Sequence, residues 1–287
     1  MEKNAIVETN HFYNSRGYKI FYQMWKPVKS PVSLVATIIH GLGEHIGRYD
    51  EMANFLTDFG IASFGIDLYG FGKSEGKRGH VFDINDYLKD IKTLYSIEGK
   101  YLGVNHKKRL ILGHSMGGLL ALAYLEKYPD DHNLAIISAP ALRPEKKVPK
   151  ALYIVASILK LFWPSLQMSN KLRPDEITSD MTEQEYLKSD GLVHDKITLK
   201  LFFELLKLSK LVWKNIHKIN KDLKILFLHG EKDKIAFKED TEEFFNLLQL
   251  KDKRLEIMKN MKHEVHTDIN RKATYEIIKD WLKSVLE

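Results

Sequence analysis

Short apolar runs recur along the chain at 34–39, 61–66, 109–112, 134–138, 225–228 and 255–258, with stretches of helical spacing between them at roughly 48–59, 84–98, 116–128, 238–250 and 272–286. Runs this short that are apolar on both faces predict strands buried between two layers. Strands alternating with helices predict a parallel sheet covered by helices on both sides. Ahead of them, residues 5–26 read as an antiparallel hairpin around Asn14-Ser15-Arg16-Gly17, whose second arm, 18–25, is rich in aromatics. The fold class is α/β, with a mostly parallel central sheet and the hairpin extending it.

Residues 141–220 break the rhythm. They contain no strand-like run and read as several helices, among them 150–163, which is strongly apolar, and 198–212, with Leu and Phe at helical spacing. An insertion of this size after a core strand predicts a helical cap. The expected division is a core of 1–140 and 221–287 with a cap at 141–220. No internal repeat or low-complexity segment is visible.

Composition narrows the function classes. At 44% hydrophobic and 29% charged residues over 287, the chain can bury a large core. It has no cysteine, which excludes a disulfide scaffold, a thiol nucleophile and a Cys-ligated metal. No apolar run approaches the roughly 18 residues of a membrane span, and the first residues lack the apolar core of a secretion signal. A cytoplasmic protein, at most peripheral to a membrane, is expected. The net charge is +6, but lysines are spread along the whole chain and no basic stripe interleaves with aromatics, so nucleic acid is not an expected partner. The sequence does not specify an oligomeric state.

Gly113-His114-Ser115-Met116-Gly117 fits the pattern G-x-S-x-G. By chance alone, about one chain in twenty of this composition would match. Its context is more specific: an apolar run precedes it directly, and Gly118 and a helical stretch follow at once. A nucleophile elbow needs that strand–motif–helix setting, in which a sharp turn lifts the hydroxyl above the sheet and glycines let strand and helix approach. The helix beginning there points its free N–H groups at any anion formed beside the serine. The competing reading is a turn with a helix-capping serine.

A serine hydroxyl needs a base to take its proton, and the base needs an orienting carboxylate. In this kind of fold the acid follows a late strand and the histidine follows the last one. Asp233 lies on the loop after 225–228, with Glu231 as local competitor. His263 follows 255–258, with His266 as competitor; metal ligation by this histidine pair lacks the further ligand context it would need. His40 and His229 each end an apolar run and are expected in buried, hydrogen-bonded roles. His11, His106, His132 and His217 stand in polar context and are expected at the surface.

Acyl transfer builds charge on a carbonyl oxygen, which two backbone N–H groups can hold. The candidates are Met116, after the nucleophile, and Leu42, in the glycine-bearing loop His40-Gly41-Leu42-Gly43-Glu44-His45 after 34–39. Neither this loop nor Asp67–Ser74 has the glycine and lysine spacing of a nucleotide-binding P-loop.

These stretches together carry a resemblance. His40-Gly41-Leu42-Gly43-Glu44-His45 with Gly47-Arg48-Tyr49, 67–76, 113–118, 189–193 and 229–233 resemble the monoacylglycerol lipase and lysophospholipase group of α/β-hydrolases, within the serine-aminopeptidase-like hydrolases. The likeness covers most of the chain and is weakest in the cap; Gly191 stands where the family usually has proline. The resemblance implies Ser115, Asp233 and His263 as catalytic triad and Leu42 and Met116 as oxyanion donors. It also implies a polar ring for the glycerol end of the substrate at Glu44, Arg48 and His266. The expected reaction is ester hydrolysis of monoacylglycerols or lysophospholipids through an acyl-enzyme, with no metal or organic cofactor. The alternatives are a broad carboxylesterase or aminopeptidase on the same fold, or a catalytically silent binding protein. The expected partners are a small lipid ester and, through the apolar cap helix and the basic neighbours Lys146, Lys147, Lys150 and Lys160, a membrane or micelle surface.

Overall fold

In the computed structural model, which describes residues 5–28, 31–102, 108–144 and 149–286, the chain builds an eight-stranded sheet. The N-terminal hairpin is present: β1 (Ala5–Tyr13) pairs antiparallel with β2 (Lys19–Pro27). The Asn14 side-chain oxygen accepts from the N–H groups of Arg16 and Tyr18, both at 3.0 Å, and Gly17 sits at φ +80°. A side-chain acceptor and a left-handed glycine close the turn there.

The strands that follow are β3 (Leu34–Ile39), β4 (Ile61–Ile66), β5 (Arg109–His114), β6 (Leu134–Ser138) and, beyond the insertion with its β7 (Gln167–Ser169) and β8 (Lys196–Thr198), β9 (Lys224–Gly230) and β10 (Asp252–Met258). The sheet order is β1-β2-β4-β3-β5-β6-β9-β10, and every pairing from β4 to β10 is parallel. Side chains alternate between two cores. Val35, Ile39, Ile111 and Phe227 face one side, while Leu34, Ile38, Leu112 and Leu228 face the other. α1 (Asp50–Thr57) covers the second side together with the C-terminal helix, through Met52, Leu56, Ile278 and Trp281. α2 (Ile84–Leu102) and α3 (Met116–Lys127) cover the first.

The insertion holds α4 (Lys150–Phe162), α5 (Pro174–Ile177), α6 (Met181–Ser189) and α7 (Leu199–Asn215); α8 (Lys238–Leu247) and α9 (Arg271–Leu286) complete the chain. α7 buries Leu201, Leu205, Leu208 and Val212 in the same core as α3, which fastens the insertion to the sheet. α4 lies on α7 and exposes Ile154, Ile158, Leu161 and Phe162. No described helix is long and apolar enough to cross a membrane.

Two expectations need correction. The insertion does contain strands: β7 and β8 pair antiparallel, Gln167 with Thr198 through Ser169 with Lys196. Three-residue strands are too short to leave a periodic signal. His132 is buried, not exposed: its ring packs edge-on against Tyr95 and Tyr124, and burial pushes its pKa down to about 3. It stands just before β6 with Nε2 3.3 Å from the Thr37 hydroxyl, which donates to buried Glu98 at 2.7 Å. His11 and His217 are exposed, and His106 lies outside the described residues, as do Lys146 and Lys147.

Candidate active site

β5 runs directly into Ser115, and α3 starts at the next residue. Ser115 sits at φ +53°, ψ −115°, a conformation that costs a non-glycine residue of order 1–3 kcal/mol. Its N–H donates to the Ser138 carbonyl at 2.9 Å, and its own carbonyl accepts from Ala141 at 3.1 Å. The flanking glycines permit the close approach. A Cβ on Gly117 would stand 2.1 Å from the Ile39 carbonyl oxygen, and one on Gly113 would stand 2.4 Å from that of Gly117. Backbone atoms cannot yield to such contacts, so both positions require glycine.

Behind the elbow, β9 delivers Asp233 and the loop after β10 delivers His263. The Asp233 Oδ2 accepts from His263 Nδ1 at 2.7 Å and from His229 Nε2 at 3.0 Å. Its Oδ1 accepts from the N–H groups of Ile235 and Ala236, at 2.7 and 3.1 Å. Burial alone would raise this carboxyl's pKa, but His263 and His229 outweigh it and hold the group well below the usual carboxylate range. Burial works against the charged form of His263 too, and Asp233 reverses it, so the pKa of His263 is raised. With Nδ1–H committed to Asp233, the Nε2 lone pair of His263 is left to accept a proton. Of the other two residues weighed from the sequence, Glu231 is exposed and accepts from Asn260 N–H at 2.9 Å, and His266 forms no hydrogen bond with Asp233.

The ring of His114, the residue before the serine, lies 4.7 Å from that of His263 and 5.2 Å from that of His266. The Ser115 hydroxyl itself has no hydrogen bond to the described residues.

The glycine-bearing loop after β3 passes directly over the serine: a Cβ on Gly41 would lie 3.3 Å from Ser115 Cβ. His40 is fully buried. Its Nδ1–H donates to the Gly41 carbonyl at 2.7 Å and its Nε2 accepts from Leu68 N–H at 3.1 Å, while burial lowers its pKa to about 3. Glu44 Oε1 accepts from Gly41 N–H at 2.5 Å. Both faces of the loop are thus pinned, and the N–H groups of Leu42 and Met116 carry no bond to the described residues. Two unengaged N–H groups bordering a strained serine can hold an oxyanion.

Glu44, Arg48 and His266 converge beside this loop. Arg48 is the hub: Nη1 donates to Glu44 Oε2 and Glu264 Oε1, each at 2.7 Å, and Nη2 to Glu264 Oε2 at 2.6 Å and Glu183 Oε1 at 2.7 Å. Burial would raise Glu264, but this bidentate guanidinium overrides it and lowers the pKa. Burial raises Glu44, which Arg48 offsets only in part. His266 stacks on Tyr49 at 5.1 Å, has no partner for Nε2, and is lowered by burial to about 4. Arg48 Nε is likewise unpartnered. Glu44, His114 and Glu264 bring ligand atoms within 4.8 Å of one another, yet both carboxylates are already engaged by the guanidinium, which takes the charge a metal would.

Sequence reasoning did not find Glu264, Glu183 or His229 in these roles. Nor did it find the insertion's grip on the glycine loop, where His45 Nε2 meets Asp190 Oδ2 at 2.8 Å and His194 N–H donates to Gly43 O at 2.9 Å. The one available signal was physical: an arginine next to a buried loop needs carboxylates.

Residues 30–270 match the family model described as serine aminopeptidase, S33. The chain belongs to this family of α/β-hydrolases. Among its relatives, an uncharacterized abhydrolase domain-containing protein of Dictyostelium discoideum is 33% identical over 92% of this chain, which spans only 27% of that protein. A monoacylglycerol lipase of Mycolicibacterium smegmatis is 28% identical over 94% of this chain and 95% of its own length. A solved structure of a Paleococcus ferrophilus monoacylglycerol lipase superposes with a TM-score of 0.80 at 29% identity, over 97% of this chain and 99% of that one.

Proposed function

We propose that this chain is a serine ester hydrolase acting on monoacylglycerols, with Ser115 as nucleophile, His263 as base, Asp233 as its orienting carboxylate, and Leu42 and Met116 as oxyanion donors. The observation that carries the reading is the 2.7 Å Asp233–His263 bond, whose imidazole lies 4.7 Å from the ring of His114, the residue before a strained serine at a helix N-terminus. His263 Nε2 takes the Ser115 proton as the oxygen attacks the acyl carbonyl. The Leu42 and Met116 N–H groups hold the oxyanion. The imidazolium protonates the departing glycerol oxygen, and the same base then activates water to release the fatty acid. The likeness to monoacylglycerol lipases over nearly the whole chain supports this substrate class.

The polar end of the substrate is received at His266 Nε2 and the Nε edge of Arg48, with Glu44 fixing Arg48 from behind. An aminopeptidase needs a free acid for the α-amine. Glu44 and Glu264 are the acids at hand, and Arg48 engages both, which favours a neutral glycerol end. Residues 141–220 serve as the cap over the site. The flank of α4 carrying Ile154, Ile158, Leu161 and Phe162 is 55–74% exposed and is suited to meet a membrane or micelle that supplies the lipid.

Fluorophosphonate labelling tests the reading. One adduct is expected, on Ser115, and none in Ser115→Ala; an adduct that survives that substitution contradicts it, and no adduct at all favours a silent binding protein. Monoacylglycerols should then turn over faster than lysophosphatidylcholine, p-nitrophenyl esters and aminoacyl amides.

A further inference from the structure

A concavity lies in the insertion, and Ser115 does not line it. It is a groove of about 510 Å³ between α4 and α7. Sites for small ligands run from about 300 to 1,000 Å³, so the space is adequate. Its apolar floor is Tyr153, Phe203, Leu206 and Leu211, with the Tyr153 and Phe203 rings 5.6 Å apart. Its walls are cationic. Lys200, Lys207, Lys210 and Lys214 fall on the stripe of α7 opposite the leucines buried against α3, and Lys160 of α4 places its ammonium 4.4 Å from the Phe203 ring centre. One acid lines the groove, Glu204, and Lys200 engages it at 2.9 Å. Asp83 lies close enough for Lys207 and Lys200 to help lower its pKa, behind two hydrogen bonds from Asn85. Among the described residues, Lys207, Lys210 and Lys214 form no ion pair.

We propose that this groove binds the anion of a fatty acid, its chain on the aromatic floor and its carboxylate among Lys207, Lys210 and Lys214. The chemistry is that of an amphiphile with a single anionic head: apolar contact along one side, and five ammonium groups against one carboxylate along the other. A bilayer is the poorer occupant. Tyr153 and Lys160, seven residues apart, share the groove-facing stripe of α4, whereas the exposed apolar residues Ile154, Ile158 and Leu161 lie round the helix from them. The choice of a fatty acid rests on the proposed ester hydrolysis. An uncharged acyl ester becomes an ionised acid only on cleavage, so a cationic groove separates product from substrate by charge.

The test is calorimetric titration of laurate, below its micelle concentration, into protein blocked at Ser115 by fluorophosphonate and, in parallel, into untreated protein. The expected result is one laurate per blocked chain. Affinity should fall at least tenfold in Lys207→Glu/Lys210→Glu, and methyl laurate should not bind. The double variant should hydrolyse p-nitrophenyl acetate at the wild-type rate, showing that the fold is intact. The proposal is overturned if blocked protein gives no saturable binding, if the double variant binds laurate equally well, or if methyl laurate competes equally. It is also overturned if the double variant loses binding to phosphatidylglycerol vesicles while laurate never binds, which would make the groove a bilayer contact. Failure of Ser115 to label refutes the hydrolase reading separately, and laurate binding to untreated protein still reports on the groove.

Discussion

Replacing Asp233 by asparagine should separate folding from catalysis. The carboxylate accepts four hydrogen bonds, from Ile235 and Ala236 N–H on Oδ1 and from His263 and His229 on Oδ2. An asparagine can keep its oxygen on the two backbone donors, which turns its NH2 group toward both imidazoles. His263 then finds a donor where it had an acceptor. It can satisfy that contact only by accepting at Nδ1 and carrying its proton on Nε2, and that tautomer has no lone pair for the Ser115 proton. A wrong-tautomer base costs about 10⁴ in kcat, or about 5.4 kcal/mol at 1.36 kcal/mol per factor of ten. The loss of charged hydrogen bonds costs about 1.5–3 kcal/mol each, but His229 retains its contact with the Ala236 carbonyl at 3.1 Å, so the variant should fold with a lowered Tm. Steady-state hydrolysis of p-nitrophenyl butyrate at pH 8, beside a thermal melt, reads both effects. A kcat within tenfold of wild type in a folded Asp233→Asn protein would refute the assignment of His263 as a base oriented by this carboxylate.

Three further outcomes follow from the geometry. Burial opposes charge on His263 but Asp233 outweighs it, so its pKa is raised; because the base must be neutral, kcat/KM should climb with pH through a midpoint above the ordinary histidine value of about 6.5, and a midpoint below that value would contradict the pairing. Gly117→Ala puts a Cβ 2.1 Å from the Ile39 carbonyl and 2.6 Å from that of His40, so overpacking of about 1–3 kcal/mol and a displaced Ser115 should appear together as a lower Tm and a lower kcat; a variant normal in both would mean the turn is looser than described. Arg48→Met strips the counter-charge from buried Glu44 and Glu264 and should cost about 3–5 kcal/mol at pH 7. The unpaired carboxyls then titrate at a raised pKa, so the deficit against wild type should shrink as pH falls and they take up protons, and denaturant melts from pH 8 to pH 5 that show a constant deficit would contradict this.

The parts of the fold legible in the sequence are those where burial leaves one choice of residue. β3, β4 and β6 coincide with apolar runs because both their faces are covered. β10 is an edge strand, and its first half, Asp252-Lys253-Arg254, carries the charges that protect an edge, so only its end shows as an apolar run. Ser115 was legible because its turn demands Gly113 and Gly117 on either side. The buried ion network was not. Glu264 and Glu183 reach Arg48 across 216 and 135 residues of chain, and no spacing rule links such segments. The two-stranded pairing of β7 and β8, which closes across α5 and α6, and the buried position of His132 were hidden for the same reason: neighbours that only folding supplies determine them.

Fatty acid release from a monoacylglycerol by wild type and Ser115→Ala, measured side by side on protein whose melts coincide, bears most directly on the reaction assigned to this chain. Steady turnover by the wild type and a drop of several orders of magnitude in the variant is the predicted result. Equal rates in the two proteins, or no release by the wild type, would contradict it.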